Sequence, residues 1–450
     1  MAFDSIKSTP DSLASWLTYA ENLTDKPIEL GLTRMRTMIA RMGISFSCPV
    51  FTVAGTNGKG STCALISSVL LAAGYRVGMH TSPHLLRFNE RAVICGQEVE
   101  DSILCRAFDQ VNRARDGMPL TYFEFTGLAI LKIFSDAKLD AVVLEIGLGG
   151  RLDAMNAIDS DCGIVCAIGI DHTAYLGTTR EAIAYEKACI YRPWKPALVT
   201  DLNPPATLID YARKIGAPLI RYGKDFTTRV KEKTFDFSFG ATAYEDLPKP
   251  ALAGTNQIQN AAGAIAAVTL LSDRLPVTRE AIEKGLKTAY MPGRFERFTV
   301  PGFPNIPVFV DVGHNPQAAC VLFKNITATQ SNSEMLYAVF AMLRDKDMRS
   351  VARTMAPAVS HWFISGLTGL RGARLDELKK AMHQAEIADE SISDFDSVDS
   401  ALRAALDAAN RNLRHPVRIL VFGSFVTVGQ AVQTLQALGA CACQSDSHAQ

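Results

Sequence analysis

The chain has 450 residues, enough for a large core and two domains of ordinary size. Its 46 lysines and arginines balance 46 aspartates and glutamates, so no net field recruits nucleic acid or an anionic membrane. No apolar run is long enough to span a bilayer, residues 1–10 carry no secretory pattern, and the cysteines lie scattered as small buried hydrophobes, which points to a cytoplasmic protein.

Leu13, Trp16, Leu17 and Ala20 share one helical face, and 32–42 reads as a second helix closed by Gly43. The apolar run Val50, Phe51 and Val53 then predicts a buried strand over 49–53. It leads through Gly55-Thr56-Asn57-Gly58-Lys59-Gly60-Ser61 into a helix over 61–73 with Gly74 as its stop. A strand, a glycine turn and a helix N-terminus make a phosphate cradle, because glycines let amides converge on an anion that the helix dipole also favours. Lys59 can reach terminal phosphates, and the Ser61 hydroxyl can bind the magnesium that travels with ATP. The loop is shorter than the common P-loop and Gly60 separates Lys59 from Ser61, so a plain glycine turn with an exposed lysine is the alternative.

Strands over 76–80, 141–146, 162–168, 197–199 and 219–221 follow, mostly separated by helices near 100–114, 123–136, 180–190 and 206–215. Such alternation predicts a parallel sheet covered on both faces. Period-two stretches in 225–248 suggest an antiparallel excursion, and helices over 256–272 and 278–289 come next. Met291-Pro292-Gly293-Arg294 breaks the pattern. The expected division is a P-loop ATPase-like α/β domain over 1–290, a linker over 291–298, and a smaller Rossmann-like α/β domain over 299–450. Strands of the latter are expected at 308–312, 336–340, 362–364 and 419–422, while Cys441 and Cys443 fall in a polar tail and look incidental.

Ligands of open parallel sheets gather beyond the carboxyl ends of the strands. At those ends stand Ser82-Pro83-His84, then Glu145 with the Gly147–Gly150 loop, then Asp171-His172, and in the second domain Asp311 with His314 and Asn315. Glu145 could instead cap a helix or pair with a cation, and Asp171-His172 could be a simple turn. Convergence argues for a site: one sheet would carry Ser61, Ser82, Glu145 and His172 to the edge that holds the phosphate loop. Hydroxyl and carboxylate oxygens suit magnesium, and a histidine leaves room for manganese.

Together these residues resemble the folylpolyglutamate synthase/dihydrofolate synthase family, within the Mur-type ATP-dependent ligases. The resemblance runs from about Ser12 to Val428 and is carried by GTNGKGS at 55–61, SPHL at 82–85, EIGLGGRLDA at 145–154, DHTAYLG at 171–177, EKA at 186–188, PGRFE at 292–296 and DVGHNP at 311–316. It implies that Thr56, Asn57, Gly58, Lys59, Gly60 and Ser61 form the phosphate loop, and that Asn260, Arg294 and Asp311 contact ATP. It places one magnesium ion on Ser61 and Glu145 and a second on Ser82 and His172, and makes Lys187 a carbamate. Folate positions map to Pro27, Ile28, Glu29 and Leu30, to Thr121, Tyr122, Phe123 and Glu124, and to Leu152, Asp153 and Ala154. Departures from the family pattern are Ser61 for a frequent threonine, Cys189 for a glycine beside Lys187, and Glu29 for a common aspartate.

The implied activity is ligation of L-glutamate to dihydropteroate and to reduced folates through an acyl phosphate, by a monomer. Phosphoryl transfer needs positioning and charge neutralisation more than a protein nucleophile. His314 could serve a tetrahedral intermediate or simply order the second domain. Lys187 could instead form a surface salt bridge with Glu186 or Glu181, and Tyr122 and Phe123 could merely open a core helix, leaving an enzyme limited to chain extension. A Mur-type cell-wall ligase and a non-catalytic nucleotide switch are the remaining readings. The first would carry a separate N-terminal substrate domain, and only about fifty residues precede the phosphate loop.

Overall fold

The structure is a computed structural model that describes residues 10–26, 28–331 and 333–443. Pro27, expected at the folate site, lies outside the described residues. The chain divides into two compact units. The first takes residues up to Ile168, Ala174–Pro248 and Asn260–Thr288; the second takes Gly169–Thr173, Lys249–Gln259 and the chain from Ala289 onward.

The first unit is built on an eight-stranded sheet. Its order is Gln97–Glu98, Val93–Ile94, Val77–His80, Ala141–Glu145, Val50–Ala54, Cys162–Val165, Ala197–Val199, Leu219–Arg221. The last six of these run parallel. Val50–Ala54 sits inside the sheet, and every one of its residues is buried, as is every residue of its neighbour Ala141–Glu145. That is why these strands read as unbroken apolar runs. The edge hairpin Val93–Ile94 with Gln97–Glu98 was not foreseen, because two-residue strands leave no period to detect. Phe226–Val230, Thr234–Phe239 and Thr242–Pro248 form the expected antiparallel excursion as a separate three-stranded sheet.

Local chemistry sets the helices. The phosphate-loop helix, Lys59–Ala72, begins at Gly58 with φ +90° and ends where Gly74, φ +91°, lets the Tyr75 amide reach the Leu70 carbonyl at 3.1 Å. Thr121 and Glu124 form a capping box that starts Tyr122–Asp136. The N-terminal helix Leu13–Glu21 docks through Trp16, 1% exposed, whose ring lies 6.1 Å from Phe108 and 6.2 Å from Phe125. Burying a side chain the size of phenylalanine contributes about 1.5–3 kcal/mol, so this aromatic cluster fixes the segment that precedes the sheet.

The second unit carries a seven-stranded sheet in the order Ile392–Phe395, His361–Ser365, Met335–Phe340, Val417–Phe422, Phe303–Asp311, Glu296–Val300, Cys441–Cys443. The first five are parallel, and Glu296–Val300 pairs antiparallel with both of its neighbours, Phe303–Asp311 and Cys441–Cys443. Two expectations need correction here. The linker expected over 291–298 is already sheet from Glu296, and Cys441 to Cys443 pairs with Glu296–Val300 as an edge strand. Glu296–Val300 mixes charged and apolar residues and Cys441–Cys443 is only three residues long, so sheet pairing overrides their weak local signal.

Candidate active site

Gly55 and Gly58 shape the phosphate loop under steric necessity. A Cβ on Gly55 would stand 2.8 Å from the Cys166 Cβ, and one on Gly58 would stand 2.7 Å from the Asn260 Oδ1. Asn260 is therefore packed against the loop. The Thr56 and Asn57 amides donate to the Ala167 carbonyl at 2.8 and 3.4 Å. Those two amides fasten the loop to the neighbouring chain, and the helix's anion-favouring end starts at Lys59, beyond Gly58. The Lys59 Nζ donates to the Gly55 and Thr56 carbonyls at 3.1 and 3.4 Å and lies 4.0 Å from the Glu145 carboxylate.

Glu145 ends the strand beside Val50–Ala54, paired in register with Val53, and accepts from the Ser82 amide at 3.1 Å. Ser61 is 2% exposed in the first turn of the loop helix. The structure thus brings Lys59, Ser82 and Glu145 together at one sheet edge with the phosphate loop that carries Ser61. Their donors are hydroxyl and carboxylate oxygens, which fit a hard divalent cation. Burial pushes the nearby Cys166 thiol up to about 11, so it stays a neutral hydrophobe. Among the described residues no three His, Cys, Asp or Glu side chains gather around one point, so an ion here would draw on hydroxyl groups and nucleotide oxygens. His172 lies in the segment Gly169–Thr173, which groups with the second unit.

Lys187 is 4% exposed near the end of the helix Arg180–Ala188, and its Nζ donates to the Gly55 carbonyl at 2.9 Å. Its burial sets it apart from the surface salt bridge weighed for it. Glu186 pairs with Arg151 at 2.9 Å. Cys189 follows the helix with φ −67°, a conformation open to any residue, so replacing glycine there costs the backbone nothing.

The expected folate positions divide into groups that face a site and groups that build it. Phe123 presses on the Gly147 loop, where a Cβ on Gly147 would stand 2.7 Å from its Cζ. Leu152 accepts from the Gly31 amide at 3.3 Å, drawing the loop of Ile28, Glu29 and Leu30 toward it. Glu124, in contrast, is committed to Thr121 and to Arg34, whose Nε reaches its two oxygens at 3.0 and 3.1 Å. Asp153 accepts from the Leu148 and Met155 amides at 2.9 Å each and precedes the short turn that begins at Ala154. Burial, against those amides and the Lys59 charge, pushes its carboxyl up to about 6. Both acids shape the segments around them. Arg34 was missed, since an arginine in an amphipathic helix carries no motif.

In the second unit, Asp171 gathers charge around itself. Lys346, which no motif signalled, donates to it at 2.6 Å, and the His314 Nε2 lies 3.4 Å away. Burial opposes ionisation, but His314, His172 and Lys346 hold the Asp171 carboxyl well below the ordinary range. The His172 Nε2 stands 3.5 Å from the Lys346 Nζ, a cation where a metal was expected. Asp311 accepts from the Phe295 and Gly313 amides at 2.9 and 2.7 Å; burial raises its carboxyl against the Arg294 charge. The Arg294 guanidinium lies 5.2 Å from the Phe425 ring.

A phosphate loop with a lysine and a carboxylate on one parallel sheet, followed by a second α/β unit, defines an ATP-dependent ligase of the Mur type. The Mur ligase middle domain matches residues 53–268, and the Mur ligase glutamate ligase domain matches residues 293–425. The dihydrofolate synthase/folylpolyglutamate synthase of Escherichia coli is 41% identical over 96% of this chain and 98% of its own, and that of Haemophilus influenzae 37% identical over 93% and 96%. The E. coli FolC structure in complex with DHPP and ADP matches with a TM-score of 0.88 at 40% identity, covering 96% of this chain and 99% of that one. A bifunctional folylpolyglutamate synthase/dihydrofolate synthase with Mn, AMPPNP and L-glutamate bound matches with a TM-score of 0.86 at 36% identity, over 95% and 100%. The chain belongs to the dihydrofolate synthase/folylpolyglutamate synthase family. Full-length relatives of that name favour neither the cell-wall ligase nor the nucleotide switch.

Proposed function

We propose that the protein joins L-glutamate to dihydropteroate, giving dihydrofolate, and to reduced folates, giving folylpolyglutamates. The γ-phosphoryl group of ATP passes to the substrate carboxylate with release of ADP. The amine of L-glutamate then attacks the acyl carbon, and phosphate leaves as the amide forms. The observation that carries this reading is the Lys59–Glu145–Ser82 edge above the glycine loop: charge and oxygen donors held by backbone, as phosphoryl transfer requires. Lys59, Gly60 and Ser61 would hold the phosphates, with Asn260 on the loop's flank and Arg294 and Asp311 serving the nucleotide from the second unit. Ser61 with Glu145, and Ser82 with His172, would hold two magnesium ions, which supply neutralisation of phosphate charge. Phe123, Tyr122, Leu152 and the Ile28–Leu30 segment would take the pteridine.

Lys187 in this reading is carbamylated, turning a buried amine beside the Gly55 carbonyl into an anion that orients a magnesium ligand. Support for it is its burial and the place of its Nζ at the Gly55 carbonyl of the phosphate loop. High-resolution density for a carbamate, and partial rescue of Lys187→Ala by acetate, are the expected results; plain amine density with a fully active alanine variant overturns it. The protein acts as a cytoplasmic monomer, which light scattering on the purified protein checks. The test of the whole reading is phosphate release with ATP and magnesium, expected only when L-glutamate and a pteroate or folate are both present. Phosphate release indifferent to both rejects it.

A further inference from the structure

Arg91 closes the short turn Phe88–Arg91 and is only 8% exposed. A guanidinium buried to that degree ordinarily meets a carboxylate, since an uncompensated charge in the interior is costly. Among the described residues none pairs with it. Glu90, next in chain, turns its carboxylate to the Leu85, Leu86 and Arg87 amides at 2.6, 2.7 and 2.8 Å. Glu145 is engaged by the Ser82 amide.

The Glu145 and Glu90 charges act on Arg91 through space and compensate it in part, but the side chains in hydrogen-bond or ring contact with it are neutral. Its Nε–H donates to the His84 Nδ1 at 2.9 Å, which leaves that imidazole uncharged with its proton on Nε2. Burial, together with the Arg91 charge, pushes His84 down to about 4. The rings of Phe88 and Tyr122 lie 5.5 and 5.7 Å from the Arg91 Cζ. The Arg91 carbonyl accepts from the Nδ1 of His80, so the backbone is held as well. His80 itself is 1% exposed and keeps a second buried polar atom, Nε2, with no partner among the described residues. One end of the fork is thus fixed by His84 and its flanks by two rings, while the terminal nitrogens, which match a carboxylate in shape, have no anion.

We propose that the Arg91 guanidinium binds a carboxylate of the substrates, beside Tyr122 at the start of the helix Tyr122–Asp136. The inference rests on the ligase reading above, in which each substrate but ATP bears a carboxylate: the incoming L-glutamate, and the acyl substrate. A site of this kind gives up stability in the free protein and recovers it when the anion arrives, which separates it from a structural arginine.

The experiment uses the full chain with Arg91→Met and Arg91→Lys, measuring KM for ATP, L-glutamate, dihydropteroate and tetrahydrofolate, and the ligand-free melting temperature. Arg91→Met is expected to raise the KM of a carboxylate substrate about tenfold or more, to leave the KM of ATP within about twofold, and to melt no lower than the wild type. A rise for L-glutamate identifies the incoming amino acid as the bound group; a rise confined to the pteroate and folate substrates identifies the acyl side. Arg91→Lys keeps the charge without the fork and should fall between wild type and Arg91→Met. Unchanged KM values in either folded variant, or a change carried by ATP, overturn the proposal, and a lower melting temperature with normal KM values makes Arg91 structural. Should Arg91→Met not fold, the KM values of Arg91→Lys decide alone. Wild-type protein that never turns over folates rejects the ligase reading and this inference with it, whereas normal wild-type turnover with unaltered variants rejects this inference only.

Discussion

Lys59 makes its hydrogen bonds to carbonyls of its own loop, and the buried Glu145 carboxylate 4.0 Å away keeps its bond from the Ser82 amide when the lysine is lost. Lys59→Ala is expected to melt close to the wild type and to lose about 3–4 kcal/mol of transition-state stabilisation, read as a fall in kcat/KM. Near-normal turnover in a folded variant would sink its role. Asp153 offers a test of pH dependence. Its carboxyl stands at about 6 in the fold against 3.8 ordinarily, chiefly through burial. An acid held above its ordinary value grips its proton more tightly when folded. Its contribution is therefore complete below the ordinary value and is lost as pH rises through about 6. The wild type should accordingly lose on the order of 2–3 kcal/mol relative to Asp153→Asn between pH 4 and pH 7 in urea unfolding. A difference between the two proteins that stays flat with pH would contradict this. Lys59 was legible because glycines bracket it between a strand and a helix. Lys346 was not, because its partner Asp171 is 175 residues away and only the fold joins them.

Elements announced themselves where one local device sufficed. Thr121 and Glu124, three apart before an apolar run, mark a helix start, and the structure forms that capping box. The family resemblance also assigns these side chains to a folate site; in the structure Glu124, 3% exposed, is held by Arg34 from the helix Thr33–Met42. That buried pair joins two elements. Arg34→Met should destabilise the protein by about 1–3 kcal/mol by leaving the Glu124 charge with only its Thr121 bonds, and adding Glu124→Gln should restore much of the loss. Urea denaturation of the two single variants and the double closes the cycle; strictly additive losses would show that the pair is not coupled. Edge strands were the weakest readings. Val93–Ile94, Gln97–Glu98 and Cys441–Cys443 are short and partly polar, and only a neighbouring strand makes them sheet.

At the scale of the whole molecule, the parallel order was legible because each central strand is buried on both faces and followed by a helix, whereas the assignment of Gly169–Thr173 to the second unit was not. That segment begins just past Ile168, and no change of composition marks the crossing. What the assembled chain does with its two kinds of acceptor is the sharpest remaining question, and Phe123 bears on it. Its ring is pinned against the glycine loop that follows Glu145, with the His80 ring 6.2 Å away, so it lies between the phosphate edge and the capped helix. A flat pteridine needs such an apolar face more than it needs charge. If one pocket serves both steps, Phe123→Ala should raise the KM of dihydropteroate and of tetrahydrofolate together, by an amount corresponding to about 1–3 kcal/mol, while nucleotide binding stays as in the wild type. Phosphate release with each acceptor, and titration with ADP, measure the two sides. Activity with tetrahydrofolate and none with dihydropteroate would restrict the enzyme to chain extension. A Phe123→Ala protein that lost only one of the two activities would require separate pockets, which a single aromatic face at this loop does not provide.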